Sequence, residues 1–368
     1  MGDIQGTEKK TKKSGALNNA TGVNKLDGKP KIDSFHNRDG LSLKTYAWVV
    51  KNPVGIIILV HGLNTHVRLE YLRHNVIIQS NDKAILKDAE NYYIYKDSWI
   101  EHFNKTGFSV YGLDLQGHGQ SDGWKNLRTN VKKFDDIVYD VIQYISRIHD
   151  MLCLLKKKNT NFSIHDNITN TKIPPFYIMG LSMGGNIVLR VLEILGKSKE
   201  NKNKLNIRGC ISLAGMISID ELATKTSYKY FYIPFSKLFA NLFPSLRLTP
   251  SLYFKKHPYV NDIFSYDKYR SHRPITCKLG YELLNAIENL NSDMNHLPKN
   301  IPLLFVHSRH DSACFFGGAQ TFYNKIDSEN KELHILDDMD HVLTMEPGNE
   351  KVLSKVSEWI TSLSNKAQ

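Results

Sequence analysis

The chain has 368 residues, 41% of them hydrophobic and 23% charged, which is enough to bury a large core. Its net charge of +11 is scattered over a lysine-rich tail and polar stretches. With no nucleic-acid-binding motif, solubility or attraction to lipid headgroups accounts for that charge, and nucleic acid is excluded as a partner. Four cysteines (Cys153, Cys210, Cys277, Cys314) have neither paired nor metal-ligand spacing. They are expected to be reduced, buried thiols, with no metal and no cofactor.

Residues 1–31 are poor in apolar side chains and rich in Lys, Gly, Asn and Thr, the composition of a disordered basic tail. Met1-Gly2 opens like a myristoylation signal, but Gly6 stands where Ser or Thr is required and Thr7 comes one place late. Lys9, Lys10, Lys12 and Lys13 leave peripheral contact with an anionic membrane surface open. No secretory leader and no apolar run of membrane-spanning length is present, so a cytoplasmic location is expected.

From residue 32 onward eight strands are predicted: 31–37, 43–50, 55–60, 109–113, 176–179, 208–214, 302–307 and 332–336. The first two look antiparallel. After the third, strands alternate with helices, which predicts an α/β fold with a mostly parallel eight-stranded sheet flanked by helices. Val131, Phe134, Ile137, Val138, Val141, Ile142, Ile145 and Ile148 recur at helical spacing, so that helix packs one face on the sheet. The predicted core comprises 32–217 and 277–368.

The strand 176–179 runs directly into Gly180-Leu181-Ser182-Met183-Gly184-Gly185. A strand, a sharp Gly-x-Ser-x-Gly turn and a helix form a nucleophile elbow, where small residues keep Cβ atoms out of a crowded turn. Serine needs a base and an orienting acid. Asp311 follows the strand 302–307 and His341 follows the strand 332–336, so both stand at carboxyl ends of strands, where parallel sheets gather their chemistry. The order Ser182, Asp311, His341 along the chain is that of the α/β-hydrolases. His307 and His310 lie too near Asp311 in sequence to serve easily as its base, and Asp337, Asp338 and Asp340 are rival acids beside His341. The backbone N–H groups of Met183 and Leu63 are the expected oxyanion donors, with His61 holding the loop that carries Leu63.

Residues 218–276 depart from the alternation and are rich in aromatics broken by Pro234, Pro244, Pro250 and Pro258. They are read as a helical cap of short segments forming a greasy slot above the serine, with Tyr232, Phe235 and Phe239 as candidate substrate-binding residues. Many of these aromatics must also make the cap's own core.

His61-Gly62, the run Asp114-Leu115-Gln116-Gly117-His118-Gly119-Gln120-Ser121-Asp122-Gly123, the elbow, Asp311, and His341-Val342-Leu343-Thr344-Met345-Glu346 together resemble the monoglyceride lipase and lysophospholipase branch of the α/β-hydrolases. Within it the chain is most similar to lysophospholipase-like serine esterases of apicomplexan parasites. The resemblance covers nearly everything from residue 32 onward. It implies a serine ester hydrolase acting on monoacyl lipids (monoacylglycerol or lysophospholipid) or small lipophilic esters through an acyl-enzyme, with a mobile cap. An acyl-protein thioesterase or transacylase, a proline-iminopeptidase-like peptidase and a non-catalytic binding protein on the same fold remain alternatives. Aspartate at the elbow would have indicated a haloalkane or epoxide hydrolase. The acid loop His307-Ser308-Arg309-His310-Asp311-Ser312-Ala313-Cys314 departs from the family pattern, which bears on the path of that loop. The stretches 64–95 and 156–172 are longer than in relatives and are expected on the surface, the first bordering the pocket.

Overall fold

The computed structural model describes residues 27–162, 173–198, 204–218, 230, 233–248 and 252–367. Strand β1 (Lys31–His36) pairs antiparallel with β2 (Ser42–Trp48). β3 (Gly55–Val60) is buried at every position, as expected of its β-branched run. Helix α1 (Val67–Tyr71) and the short strands β4 (Arg73–His74), β5 (Val76–Ser80), β6 (Lys83–Leu86) and β7 (Tyr93–Ile94) follow. Helix α2 (Trp99–Lys105) leads into β8 (Phe108–Leu113), and α3 (Phe134–Phe162) precedes β9 (Phe176–Leu181). Next come α4 (Met183–Lys197), β10 (Ile207–Leu213), α5 (Ile233–Leu242), α6 (Tyr259–Tyr266) and α7 (Cys277–Asp293). β11 (Leu303–Ser308), α8 (Phe316–Lys325), β12 (Lys331–Leu336) and α9 (Asn349–Ala367) complete the chain.

Eight of the strands form one sheet in the order β1-β2-β8-β3-β9-β10-β11-β12. β2 runs antiparallel to β1 and β8, and every pairing from β8 to β12 is parallel. The eight predicted strands are therefore those of the main sheet. Alternating side chains of the buried strands feed two cores, one on each face: Ile56, Ile58 and Val60 point to one, Ile57 and Leu59 to the other. Phe134, Ile137, Val138, Val141 and Ile145 of α3 pack into the first, as their spacing predicts.

One of the two predicted surface stretches differs from expectation. In 64–95, β4 pairs with β7 and β5 with β6, while Val67, Leu69 and Tyr71 are fully buried. This insertion is anchored to α6: Tyr92 Oη donates to the Ile263 carbonyl at 2.6 Å and Tyr266 Oη to that of Ala84 at 2.9 Å. In 156–172, the first residues prolong α3 to Phe162, and 163–172 lie outside the described residues. So do residues 1–26 of the expected tail. Gly28 is held by Trp48 Nε1, which donates to its carbonyl at 3.2 Å, and Lys31 already begins β1. All four cysteines are free; Cys210 and Cys314 are buried as expected, whereas Cys153 and Cys277 are half-buried. No helix among the described residues is long and apolar enough to cross a membrane.

Candidate active site

Ser182 is the residue between β9 and α4, with φ 58° and ψ −119°. An L-residue in this region is strained and persists only where its surroundings fix it. Its N–H donates to the Leu213 carbonyl at 2.8 Å, and its carbonyl accepts from Gly185 at 2.9 Å and Met216 at 3.0 Å. The flanking glycines are required sterically. A Cβ on Gly180 would strike the Gly184 carbonyl, and one on Gly184 would strike the carbonyls of Val60 and His61.

Three strand ends converge here. His341, which follows β12, places Nε2 2.9 Å from Ser182 Oγ, while its Nδ1 lies 2.9 Å from both carboxylate oxygens of Asp311, which follows β11. The Asp311 carboxylate also accepts the N–H groups of Ala313 at 2.9 Å and Cys314 at 2.7 Å. Burial alone would push the Asp311 carboxyl up, but the His341 charge and hydrogen bonds from His307 and His341 hold it well below the usual carboxylate range. Burial opposes a charge on His341, yet the neighbouring Asp311 carboxylate outweighs it and raises the imidazole above its ordinary value. Phe254 stacks on that imidazole with ring centres 6.0 Å apart.

The rival acids are engaged elsewhere: Asp337 pairs with Arg309 at 2.9 Å, Asp340 accepts the Ser312 N–H at 2.8 Å, and Asp338 is exposed. His307 does not approach the serine as a base; it lies behind Asp311, with Nε2 2.5 Å from the Cys314 carbonyl and 3.4 Å from the Asp311 carboxylate. Cys314 borders the site directly, its Sγ 3.9 Å from Ser182 Oγ. Burial pushes that thiol well up, so it stays protonated.

The oxyanion loop follows β3. Leu63 and Met183 both line the cavity with Ser182, and a Cβ on Gly62 would come within 3.3 Å of Ser182 Cβ. His61 Nε2 accepts the Leu115 N–H at 2.9 Å, so its proton is on Nδ1, which donates to the Gly62 carbonyl at 2.8 Å. Burial holds this ring neutral, and His61 fixes the loop, as expected from the sequence. The Asp114 motif props the same loop: its carboxylate accepts the N–H groups of Val67 at 3.3 Å and Gln120 at 2.9 Å.

A cavity of about 260 Å³ opens above Ser182. Met216, Leu252, Ile275, Leu283, Leu284 and Ile287 make most of it apolar, and Asn64, Thr65, Glu70 and Arg270 supply polar lining. Glu70 accepts the Gly62 N–H at 3.0 Å, and burial pushes its carboxyl up to about 8. Of the aromatic candidates from the sequence, Tyr232 lies outside the described residues. Phe235 is 45% exposed and Phe239 packs against Phe243, and neither lines the described part of the cavity. Phe254 and Phe264 occupy that role instead. Glu70, Arg270 and Phe254 carry no motif, and only the folded chain reveals them.

The sheet order, the strained serine at a strand-to-helix turn and the Ser-Asp-His chain order define an α/β-hydrolase. The family described as serine aminopeptidase, S33 matches residues 89–348, and the chain belongs to it. Among solved structures it is similar to the monoacylglycerol lipase of Paleococcus ferrophilus, with 18% identity, 87% of this chain and 99% of that one covered, and a TM-score of 0.61. It is also similar to a soluble variant of monoglyceride lipase from Saccharomyces cerevisiae in complex with a substrate analog (18% identity, 91% and 96% covered, TM-score 0.64). A third likeness is to an esterase of Pyrococcus furiosus (20% identity, 92% of each chain covered, TM-score 0.52). At such identities the likeness is one of fold. No curated protein matches the chain.

Proposed function

We propose that the chain is a serine hydrolase of carboxylic esters, acting on monoacyl lipids or small lipophilic esters through an acyl-enzyme. The observation that carries this reading is the 2.9 Å approach of His341 Nε2 to Ser182 Oγ, with Asp311 in line behind the ring, beneath a mainly apolar cavity. His341 takes the Ser182 proton as Oγ attacks the ester carbonyl, while Asp311 fixes the tautomer and stabilises the imidazolium. The N–H groups of Met183 and Leu63 receive the oxyanion, and each such donor typically contributes about 3 kcal/mol to lowering the barrier. His341 then protonates the leaving alcohol, and water attacks the acyl-enzyme to release the acid. The described parts of 218–276 act as a cap over the cavity, to which they contribute Leu252, Phe254, Phe264, Arg270 and Ile275 among others.

An aminopeptidase reading has less support. It requires a carboxylate to receive the substrate's ammonium, whereas Glu70, the carboxyl lining the described cavity, stays protonated at neutral pH, and Arg270 is a cation. The deciding experiment compares wild type with Ser182→Ala on p-nitrophenyl esters, monoacylglycerols, lysophospholipids and an aminoacyl amide, with fluorophosphonate labelling alongside. Loss of ester turnover and labelling in a folded Ser182→Ala variant is expected. Full activity of that variant, or turnover of the amide alone, overturns the reading.

A further inference from the structure

Arg270 is half-buried, and burial weighs against its charge more than the nearby Asp267 carboxylate supports it. It lies just after α6 and lines the cavity. Its Nε donates to the Asn64 carbonyl at 3.0 Å, and its guanidinium carbon stands 4.9 Å over the Phe264 ring. No carboxylate among the described residues forms an ion pair with it, whereas the more deeply buried Arg190 is paired with Asp135, Glu193 and Asp293. The acid nearest in sequence, Asp267, is already saturated by His66, by Tyr93 and by the N–H groups of Tyr269 and Arg270. Glu70 stays neutral near pH 7. A guanidinium taken from water without a partner costs free energy that an incoming anion restores, and its planar fork suits the oxygens of a phosphate.

A second observation lies beside it. Asn64, whose carbonyl anchors Arg270, has φ 56°, and its side-chain Oδ1 is buried with no hydrogen-bond partner. A buried acceptor without a donor is uncommon in a folded protein and marks a place for a ligand group. Asn64 immediately follows Leu63, so cation and acceptor both adjoin the segment proposed to hold the oxyanion. A hydroxyl next to a phosphate satisfies the two together, and a singly acylated glycerol phosphate carries both within a few bonds of its ester.

We infer that Arg270 and Asn64 form a headgroup subsite for an anionic single-chain glycerolipid, Arg270 taking the phosphate and Asn64 Oδ1 accepting from the glycerol hydroxyl. This rests on the ester-hydrolase reading only for the fate of the ligand. In hydrolysis the acyl C–O bond breaks, water gives its oxygen to the fatty acid, and a proton passes to the released glycerol phosphate. Arg270 thereby sets a preference for lysophosphatidate over lysophosphatidylcholine, whose choline offsets the charge, and over neutral monoacylglycerol.

The test uses the full chain as wild type, Arg270→Gln and Arg270→Lys, with decyl compounds held below their micelle concentrations. Binding is read by calorimetry with two non-hydrolysable ethers, 1-O-decylglycerol and its 3-phosphate. Arg270→Gln should weaken binding of the phosphate about 10- to 100-fold, the range for a lost charged hydrogen bond. It should change binding of the neutral ether less than about threefold, and Arg270→Lys should recover part of the loss, with melting curves reporting the fold of each variant. Equal wild-type affinity for both ethers, or an equal loss on both in either folded variant, overturns the inference. So does glycerol 3-phosphate alone binding as tightly as the ether phosphate, which would make this a site for soluble phosphates. Turnover of the decanoyl esters separates the two claims. Hydrolysis without headgroup preference leaves the esterase reading standing and removes this one; selective binding with no hydrolysis of any ester does the reverse.

Discussion

His66 and Asp267, 201 positions apart in the chain, meet in the interior: His66 Nε2 lies 3.1 Å from both oxygens of the Asp267 carboxylate. His66 caps α1, its Nδ1 accepting the Leu69 N–H at 3.4 Å, which leaves Nε2 to donate to the carboxylate. Tyr93 Oη donates to the same carboxylate at 2.5 Å. Burial works against the Asp267 charge, but hydrogen bonds from His66 and Tyr93 hold its carboxyl well below the usual range. This contact ties the segment after the oxyanion loop to the segment after α6 that carries Arg270.

Asp267→Ala should therefore reduce both stability and rate. Leaving His66 and Tyr93 without their acceptor costs about 1–3 kcal/mol, and a shift of the oxyanion loop lowers kcat by about tenfold or more. Because the folded carboxyl is depressed, the stabilisation from Asp267 is fully present above its unfolded value near 3.9 and is lost as pH falls through the folded value. Urea melts at pH 7 and pH 3, set beside kcat, measure both effects. A stable variant with unchanged kcat would show that the contact does not position the loop.

Asp311→Asn should leave the fold intact and lower kcat by about 10⁴, because an amide no longer selects the productive tautomer of His341. Asp337→Asn, which touches only Arg309, should change kcat by less than about twofold. Steady-state rates on a soluble ester distinguish the true acid from its neighbour in one experiment.

The pH profile should have two causes. His341 must be neutral to act as base, so kcat/KM rises with pH through a midpoint above 6.5. On the alkaline side Glu70 loses its proton near pH 8 and places a negative charge beside the oxyanion loop. That opposes the developing oxyanion and lowers the rate. Glu70→Gln should abolish the alkaline fall and leave the acid limb in place. Its raised folded value also means that wild-type stability declines between about pH 4.5 and 8, by up to ~1.4 kcal/mol per pH unit, and the variant should show a flatter melting profile.

Gly184→Ala tests the elbow. The added methyl would drive into the carbonyls of Val60, the last residue of the central strand β3, and of His61, which follows it. A loss of several kcal/mol is expected, read as a large fall in melting temperature or failure to accumulate soluble protein. Gly317→Ala, with nothing within 4 Å of its Cβ position, is the matched control and should be neutral within about 1 kcal/mol.

Much of this was legible before folding. Ser182, Asp311 and His341 each follow a recognisable strand, and the chain order of the three is itself a signature. The strands were legible because burial on both faces demands unbroken β-branched runs such as Ile56 to Val60. The insertion 64–95 was read as surface because it is longer than the corresponding stretch of relatives. Only the folded chain shows Val67 packed over Gly112 of β8 and Tyr71 bonded to the Val60 carbonyl and edge-on to Trp99. The aromatic content of 218–276 was equally misleading about particular residues: composition says that a cap is greasy, not which ring faces inward. Phe254, one aromatic of that segment among many, stacks on His341, whereas Phe235 is exposed.

By itself the amino-acid order determined the sheet, the elbow and the three residues that meet at it, because periodicity and glycine sterics act within a few residues of one another. The tertiary structure decided which charges are compensated: Arg270 left without a carboxylate, Asp267 saturated by His66 and Tyr93, Glu70 kept protonated. Ionisation and pairing depend on burial and on neighbours a hundred or more positions away, and only the folded chain sets those distances.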